Sequence, residues 1–528
     1  MLKRFLATTA EGVLGIRSPA FVLLVCAFWL AVLVGIRPLM LPDEGRYVGV
    51  AWEMLSSGDW LTPTLDGLPF FHKPPLFYWL TALALKLFGA NGWAARSAST
   101  LAAMIAVAAL HVFLRRHADK RLANLVVAVL VTQPLFFGGA QFANLDMLVA
   151  AMITVTILCG AHAVLSLERG QPYRAALASA YVFAALGVLA KGLIGFVLPG
   201  AILLAWLVVG KRYQVIRSLL PLRLIMLFLV LVMPWFWWME MSHGGFLDYF
   251  FVYHHFQRFA ESGFNSAKPF WFYVPVLLLG TLPWSPWIYR AFSRRFLQDT
   301  RQFAIRSLMV IWLLVVLAFF SWPSSKLVGY ILPALPPLAC LIADAFLVWL
   351  DDAQRANARA CLGASLLAAV ILCSGLVLGV AFRYPSSSRS LSAQVLPSFR
   401  PGDQIVMLDE YPYDLPFSLG AARNPWVVSD WNRSDLFAKD NWRRELYDAG
   451  QFDRVKMRDR LLFPEELSAR ACGHSGGALW VWGKRGWGSR YRYLRDQSIV
   501  FADDEATLWR VVDLHHDVNY CAEMPNSG

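Results

Sequence analysis

The chain has 528 residues, of which 57% are hydrophobic and 16% are charged, and its formal net charge is +12. Soluble domains carry about 25% charged residues, so this composition excludes a wholly soluble protein. The Lys and Arg residues lie in short stretches between apolar runs, which is typical of membrane topology and lipid headgroups and argues against nucleic acid as a partner. The first 17 residues lack a cleavage site of small residues, so the first apolar run is expected to be a retained helix.

Apolar stretches long enough to cross a bilayer recur from residue 18 to residue 382 and predict about eleven crossings. The predicted crossings are 18–38, 94–114, 122–140, 146–167, 175–190, 192–210, 220–238, 270–289, 307–322, 327–349 and 360–382. The stretch 75–90 is shorter and contains Lys86, so we expect it to lie along the outer membrane face, among juxtamembrane helices in 39–93. Because basic clusters mark the cytoplasmic side, the loop 39–73 and the chain after residue 382 are predicted outside.

Residues 383–528 contain no stretch long enough to span a membrane and predict a soluble α/β domain. The segments DQIVML, NPWVVS and GALWVWG are typical of strands, and NWRRELYDAG and PEELSARA of helices. We expect no catalytic residues in this domain. Its two cysteines, Cys472 and Cys521, would form a disulfide in an oxidising compartment if their Cα atoms lie within bonding range, and would otherwise be free thiols.

The outer loop joins the motif LPDEGRY to the motif FFHKPPLFYW. Asp43 and Glu44 stand at its start, and Lys73 stands at its end, directly before Pro74 and Pro75. Proline suits the first turn of a helix, and a helix start with a lysine beside it attracts phosphate. The loop is therefore either a phosphate-binding site with carboxylates near it or an ordinary charged loop next to the membrane.

Three further segments place polar groups on the same predicted face. Asp146 in QFANLDM begins a helix and is either a site residue or a helix cap. His254 and His255, with Arg258 four residues after the first, are either metal ligands and site residues or interfacial packing. Lys326 is either a site cation or a lysine that extends to the interface. A transporter would hold such groups near the bilayer midplane, whereas these converge on one face.

Six motifs in order, LPDEGRY, FHKPPLFYW, NLDM, LAKGLIGFVLPG, HHFQRF and SSKLVGYILPALPPLA, resemble those of the bacterial aminoarabinose transferase (ArnT-like) family. This family belongs to the protein mannosyltransferase-like GT-C glycosyltransferases. The resemblance implies a polytopic α-helical membrane protein with the GT-C fold in residues 1–382. The tail, with IVMLDEYPYDLPFSLG, resembles the periplasmic α/β domain of that family and is expected to span 383–528.

The resemblance implies transfer of a sugar from a polyprenyl (undecaprenyl) monophosphate donor to lipid A or another envelope acceptor, with inversion, on the periplasmic face of the inner membrane. No nucleotide-binding loop appears in the sequence, which agrees with a lipid-linked donor. The chain has His72 where the aminoarabinose enzyme has a glutamate, so both 4-amino-4-deoxy-L-arabinose as the sugar and the metal preference stay open. The alternatives are a protein or glycan mannosyltransferase-like enzyme, a flippase for lipid-linked sugars, and an outer-face sensor with a degenerate site.

The expected roles fall into four groups. The catalytic candidates are Asp43, Glu44 and Asp146; the donor phosphate candidates are Lys73, Arg258 and Lys326; the substrate-binding candidates are Arg46, Tyr47, His72, Lys191 and His255; and the metal candidates are His72 and His254. No cofactor is firmly implied, and the metal candidates are Mg²⁺, Mn²⁺ and Zn²⁺. A hydroxyl acceptor would need a base, Asp43 first and Glu44 second, whereas an anionic lipid A phosphate would leave Asp43 to orient the sugar.

Overall fold

The chain forms a helical domain followed by a smaller domain built on a β-sheet. In this computed structural model the described residues are 2–257, 267–293, 296, 302–351, 355–383, 395–400, 402–421, 423–433, 436, 441–474, 477–487, 491, 494, 497–502 and 506–511.

Among these residues, seven helices are long and apolar enough to cross a membrane, or eight if a bent pair counts as one span. The seven are Gly92–His117, Leu145–Glu168, Arg174–Lys191, Leu222–Ser242, Phe303–Ser321, Val328–Leu350 and Asn357–Arg383. The bent pair, Lys120–Val131 and Pro134–Ala140, turns by 71°. The break falls at Pro134, which lacks the N–H that a continuous helix needs. The chain is therefore a multi-pass membrane protein.

Three predicted crossings correspond to shorter apolar helices, Pro19–Ala31, Ile194–Val209 and Phe270–Gly280, so about eleven crossings stays a prediction. The predicted crossing 270–289 is not one continuous helix. The 3-10 turn Phe270–Phe272 and the α-helix Tyr273–Gly280 are separated from the 3-10 helix Ser285–Phe292 by a turn that contains Pro283. Proline interrupts the helical hydrogen bonds there.

The remaining helices of the membrane domain include Leu76–Phe88, which corresponds to the predicted surface helix 75–90, and Asp43–Ser57, which lies in the segment predicted as the outer loop. Between them lies a two-residue hairpin turn, Asp66 and Gly67, that joins the short strands Thr64–Leu65 and Leu68–Pro69. We call this segment, 64–69, the junction hairpin. The other elements are Leu2–Gly15, Tyr213–Ile216, Arg217–Leu219 and the π-helix Asp248–Gln257.

The C-terminal domain contains one six-stranded sheet. In spatial order its strands are Leu461–Leu462, Trp426–Val428, Gln404–Leu408, Leu479–Lys484, Ala506–Val511 and Ser498–Ala502. The first four are parallel and the last two pair antiparallel. Its helices are Leu415–Leu419, Trp442–Gly450, Arg454–Arg460 and Glu466–Cys472. The three predicted strands and two predicted helices are confirmed, whereas the remaining elements of this domain were not predicted.

The helix Asp43–Ser57 packs directly on the C-terminal domain. A Cβ at Gly45 would lie 3.1 Å from Cβ of Tyr413, and one at Gly49 would lie 3.1 Å from the Tyr413 carbonyl oxygen. These glycines therefore allow the helix backbone to approach the domain closely. One turn further along, the indole nitrogen of Trp52 donates to the carbonyl of Ala421 at 3.3 Å. The two domains thus meet along the helix that carries LPDEGRY.

Candidate active site

A cavity of about 460 Å³ lies where the helical domain meets the C-terminal domain. We call it the polar cavity. The helical domain lines it with Pro42, Asp43, Arg46, Tyr47, Phe70, His72, Lys73, Asn144, Leu145, Asp146, Lys191, Ser325, Leu327 and Tyr330. The C-terminal domain adds Tyr413, Asn441, Trp442 and Glu445. Seven of the predicted site residues therefore converge on one cavity, although they come from four separate segments of the sequence.

Arg46 connects the two walls of the polar cavity. Its guanidinium donates to Oδ1 of Asp43 at 2.7 Å and forms a second ion pair with Glu445 of the C-terminal domain. Tyr413 donates its hydroxyl to Oε2 of Glu445 at 2.7 Å. Burial opposes the charge of Arg46, but Glu445 and the other acidic groups around it raise its pKa well above the usual range. Arg46 is therefore a fixed cation that sets the positions of Asp43 and Glu445.

Asp146 and Lys191, which also line the polar cavity, form a second ion pair. Asn144 caps the helix that begins at Leu145, and its side chain accepts from the backbone N–H of Asp146 at 2.8 Å. Lys191 Nζ lies 4.1 Å from the ring centroid of Tyr330, which adds a cation–π contact. Gly329 has no side chain to collide with the Asp146 carboxylate. The ends of three helical segments thus hold this pair at the cavity surface.

Lys73 and His72 line the cavity just before the helix Leu76–Phe88. Both are half-buried. The His72 ring lies 4.2 Å from the ring of Phe70 and 6.4 Å from that of Tyr249. The helix that follows has Pro75 as its N-cap, and Pro75 makes no side-chain capping hydrogen bond. The first backbone N–H groups of this helix and the Lys73 ammonium together favour an anion at this place.

A second, mostly apolar cavity of about 490 Å³ adjoins the first. The two share Asp43, Asn144, Asp146 and Leu327. The apolar cavity runs along Pro134–Ala140 and the helix Arg355–Arg383, and its wall includes Leu376, which is 50% exposed. It therefore opens on a helix surface that would face lipid. An acyl or prenyl chain in this cavity would bring its polar head to Asp43 and Asp146.

Glu44 does not line either cavity, in contrast to the predicted catalytic role. Its carboxylate is fully buried and forms ion pairs with Arg37 and Arg96, the latter at 2.8 Å from Nε to Oε1. It also accepts from the backbone N–H groups of Met40 and Ala143, each at 2.8 Å. Burial acts to raise its pKa, but Arg96 and Arg37 lower it to about 2. This geometry makes Glu44 an anchor that joins the segment before Asp43 to the segment before Asp146.

Lys326 also points away from the cavity that its neighbours Ser325 and Leu327 line. It is 3% exposed, and its ammonium donates to the carbonyls of Lys268, at 3.1 Å, and Pro323. These contacts give it a role in joining two loops, in place of the predicted phosphate contact.

The segment HHFQRF lies largely beyond what the structure describes. Arg258 is outside the described residues, and so are the side chains of His254 and His255. Within the described part of the chain, no three His, Cys, Asp or Glu side chains are grouped as a metal site would require. His72 lines the polar cavity. Its predicted role as a metal ligand with His254 stays a prediction.

The C-terminal wall was missed by the sequence analysis. Glu445 and Trp442 lie in the first turn of the helix Trp442–Gly450, which Asn441 caps by accepting from the N–H groups of Arg443 and Arg444. The helix itself was predicted from NWRRELYDAG. Nothing in its sequence indicates which domain its first turn faces, so its place in the cavity had no local signal.

Comparison with known proteins agrees with this architecture. The family model described as dolichyl-phosphate-mannose-protein mannosyltransferase matches residues 72–238. The undecaprenyl phosphate-alpha-4-amino-4-deoxy-L-arabinose arabinosyl transferase of Pseudomonas savastanoi pv. phaseolicola is 32% identical over 63% of this chain and 62% of its own length. A relative with the same activity in its name, from Pseudomonas fluorescens, is 32% identical over 70% of this chain and 66% of its own length. The chain thus matches less than two thirds of the length of these relatives.

The structural comparison covers more of the chain than the sequence comparisons do. The crystal structure of ArnT from Cupriavidus metallidurans bound to undecaprenyl phosphate superposes with a TM-score of 0.77 at 20% identity, over 94% of this chain and 98% of that one. The helical domain with its appended sheet domain is therefore the GT-C fold. Within that fold class, both the sequence comparisons and the structural comparison find this chain similar to ArnT proteins.

Proposed function

We propose that this protein is a glycosyltransferase that moves a sugar from a polyprenyl monophosphate donor to an acceptor at the outer face of the bacterial inner membrane. The main observation behind the proposal is that the polar cavity and the apolar cavity adjoin and share Asp43 and Asp146. One cavity is apolar and opens toward lipid, and the other is lined by three carboxylates and three cations. A lipid-linked sugar phosphate needs both environments side by side.

The donor would bind with its prenyl chain in the apolar cavity and its phosphate beside Lys73. Departure of the lipid phosphate leaves its negative charge on the oxygen that was bonded to the sugar. A lysine at a helix start stabilises that charge as it develops, and such preorganised groups often supply the largest part of catalysis. Arg258 remains a second candidate for this contact.

The acceptor oxygen would attack the anomeric carbon from the face opposite the phosphate. The new C–O bond forms as the bond to the phosphate breaks, and the electron pair of that bond leaves with the polyprenyl phosphate. A hydroxyl acceptor passes its proton to Asp43, which stands in the cavity with 45% of its side chain exposed. An anionic phosphate acceptor has no proton to lose, and Asp43 would then orient the sugar.

We infer the sugar and the acceptor from the similarity to the named relatives. Relatives are named for undecaprenyl phosphate-linked 4-amino-4-deoxy-L-arabinose, and we propose this sugar, with lipid A as the acceptor. The carboxylates Asp43, Asp146 and Glu445 in the polar cavity suit a sugar with a cationic amino group. The family description of residues 72–238 favours a second candidate, a hydroxyl acceptor on protein or glycan.

The test is turnover by the purified protein in lipid nanodiscs. Radiolabelled undecaprenyl-phosphate aminoarabinose is supplied with lipid A in one reaction and with a hydroxyl-bearing glycan in another. The proposal expects labelled product of inverted anomeric configuration with one of them. Mass spectrometry of lipid A and surface glycans from a deletion strain identifies the natural acceptor. Movement of the labelled lipid between leaflets without any product would instead support a flippase.

A further inference from the structure

A pair of carboxyl groups is buried where the junction hairpin meets the C-terminal domain, apart from the polar cavity. Asp66, at the hairpin turn, is fully buried, and Glu53 is 7% exposed on the helix Asp43–Ser57. Asp66 has φ of 59° and Gly67 has φ of 72°, as a two-residue hairpin turn of the Asp-Gly type requires. Gly67 abuts the side-chain amide of Asn424, because a Cβ at Gly67 would collide with it. The turn is therefore inserted against the C-terminal domain.

Glu53 has the donors that an ionised carboxylate needs. It accepts from the hydroxyl of Thr64 at 2.8 Å and from the backbone N–H groups of Asp66 at 2.6 Å and Gly67 at 2.8 Å. Three donors from the junction hairpin thus converge on one carboxylate. Burial raises the pKa of Glu53 above its usual range, and these hydrogen bonds partly oppose that shift because they favour the charged form of the acceptor.

Asp66 has no such donors. Both of its carboxylate oxygens are buried, and neither has a hydrogen-bond partner within the described ranges of the chain. An ionised carboxylate buried without partners is among the most costly arrangements in a protein. The neighbouring charge on Glu53 would increase that cost, because two like charges in one buried place repel each other.

The charged and titratable groups near Asp66 come from three elements. Glu53 approaches from its helix, Tyr411 follows the strand Gln404–Leu408, and Arg460 ends the helix Arg454–Arg460. Burial is the largest influence and raises the pKa of Asp66 well above its usual range; Glu53 raises it further, and Arg460 partly opposes both. Arg460 donates to the carbonyl of Asn424 at 3.1 Å, so its guanidinium is already engaged at the same contact.

We propose that Asp66 is protonated in the folded protein and that its proton makes the junction hairpin a pH-sensitive contact between the helical domain and the C-terminal domain. With the proton, the turn is neutral and packs against Asn424 beside the ionised Glu53. Without it, two carboxylates share a buried site, and the turn is driven out of the contact. The site recognises a proton and not a metal ion, because Glu53 already accepts three hydrogen bonds from the protein.

The sign of the pH dependence follows from linkage. The unfolded chain has an Asp pKa of about 3.9, and the folded value is higher, so the folded state binds more protons above that pH. The stabilisation is fully present below about pH 3.9 and is lost as pH rises through the folded pKa of Asp66. The folded state therefore loses this stabilisation as pH rises, whereas an ordinary ion-paired aspartate loses its stabilisation as pH falls.

The direct test is infrared spectroscopy of the full-length protein in nanodiscs near neutral pH. Asp66→Asn keeps the shape and neutrality of a protonated aspartate, and asparagine tolerates positive φ. Asp59→Asn is the matched control, because Asp59 lies in the same loop but is exposed. The difference spectrum of wild type and Asp66→Asn is expected to contain a protonated carboxyl C=O band that shifts in D₂O. The difference with Asp59→Asn is expected to contain only carboxylate bands.

Thermal unfolding between about pH 5 and about pH 9 gives the second readout. The melting temperature of Asp66→Asn is expected to exceed that of wild type by a margin that grows from the acidic to the alkaline end of this range, whereas Asp59→Asn follows wild type throughout. A carboxylate band in place of the C=O band would overturn the proposal, as would failure of Asp66→Asn to fold. Stabilisation of wild type, but not of Asp66→Asn, by added Ca²⁺ or Mg²⁺ would also overturn it, because the site would then bind a metal.

Discussion

The two walls of the polar cavity differ in how they hold their charged groups. On the helical side, Asp43 and Asp146 stand at the first turns of two helices, and buried Glu44 ties together the segments that precede them. On the other side, Glu445 belongs to the C-terminal domain and contacts the helical wall by its ion pair with Arg46. The charged groups of the helical wall are held by contacts within the helical domain, whereas the C-terminal wall depends on the docking of a second domain. We therefore expect the helical wall to carry out the chemistry and the C-terminal wall to position Arg46.

The largest effect is expected from Asp43→Asn. The substitution keeps size and most hydrogen bonding but removes charge and basicity. Transfer to a hydroxyl acceptor should fall by about 10²- to 10⁴-fold, the usual contribution of a general base. Expression and melting temperature should stay at wild-type values, because the side chain is 45% exposed.

Running the same variant with lipid A separates the two roles of Asp43. Loss of only the hydroxyl reaction identifies Asp43 as a base, and loss of both indicates that it orients the sugar. If Asp43→Asn transfers sugar to both acceptors at wild-type rates, Asp43 has no part in the chemistry.

Glu44→Gln should instead destabilise the fold. The change leaves Arg37 and Arg96 buried without their carboxylate, and breaking a buried ion pair in this way costs about 3–5 kcal/mol. We expect low protein yield and a lower melting temperature, measured beside Asp43→Asn. Because the Glu44 pKa is about 2, this contribution should not change as pH varies above about 4.3, the unfolded value. A stable but inactive Glu44→Gln would return Glu44 to the list of catalytic residues.

Neighbouring residues show what the sequence can predict here. The motif LPDEGRY predicted a charged outer segment with site residues, and Asp43, Arg46 and Tyr47 do line the polar cavity, whereas the helix that begins at Asp43 was predicted as a loop. The motif gave no means to distinguish Asp43 from Glu44, because adjacent residues on a helix point about 100° apart and the partners of Glu44 come from distant segments. Arg37 and Arg96 carry no local sign of this pairing. Burial of a specific charge is a tertiary property.

Glu445→Gln tests the C-terminal wall. Arg46 would lose one of its two carboxylate partners, so its guanidinium and Asp43 should both be less well positioned. We expect about a 10-fold loss in kcat/KM, in line with a small displacement of a catalytic group, with the protein still folded. Asp459→Asn is the control, because Asp459 lies in the same domain with 57% of its side chain exposed. Equal kcat/KM for Glu445→Gln and Asp459→Asn would show that this wall only covers the site.

The smallest effect concerns the cysteines. Cys26, Cys159, Cys340, Cys361 and Cys373 are free thiols in the helical domain, and Cys472 is disulfide-bonded. Its predicted partner, Cys521, lies outside the described residues. Cys472→Ser should lower the stability of the C-terminal domain by about 2–4 kcal/mol while leaving transfer measurable at low temperature. Thiol labelling of denatured, unreduced protein should leave both tail cysteines unmodified, and labelling of either one would contradict the bridge.

The most direct test of the whole account is the transfer rate of Lys73→Ala in nanodiscs, with undecaprenyl-phosphate aminoarabinose as donor and lipid A as acceptor. Removing the cation beside the leaving phosphate should cost about 2–4 kcal/mol, or roughly 30- to 1000-fold in rate. Lys86→Ala, an exposed lysine on the helix that follows, is the matched control and should retain the wild-type rate. Equal rates for Lys73→Ala and wild type, at equal protein levels, would contradict the placement of the donor phosphate in this cavity.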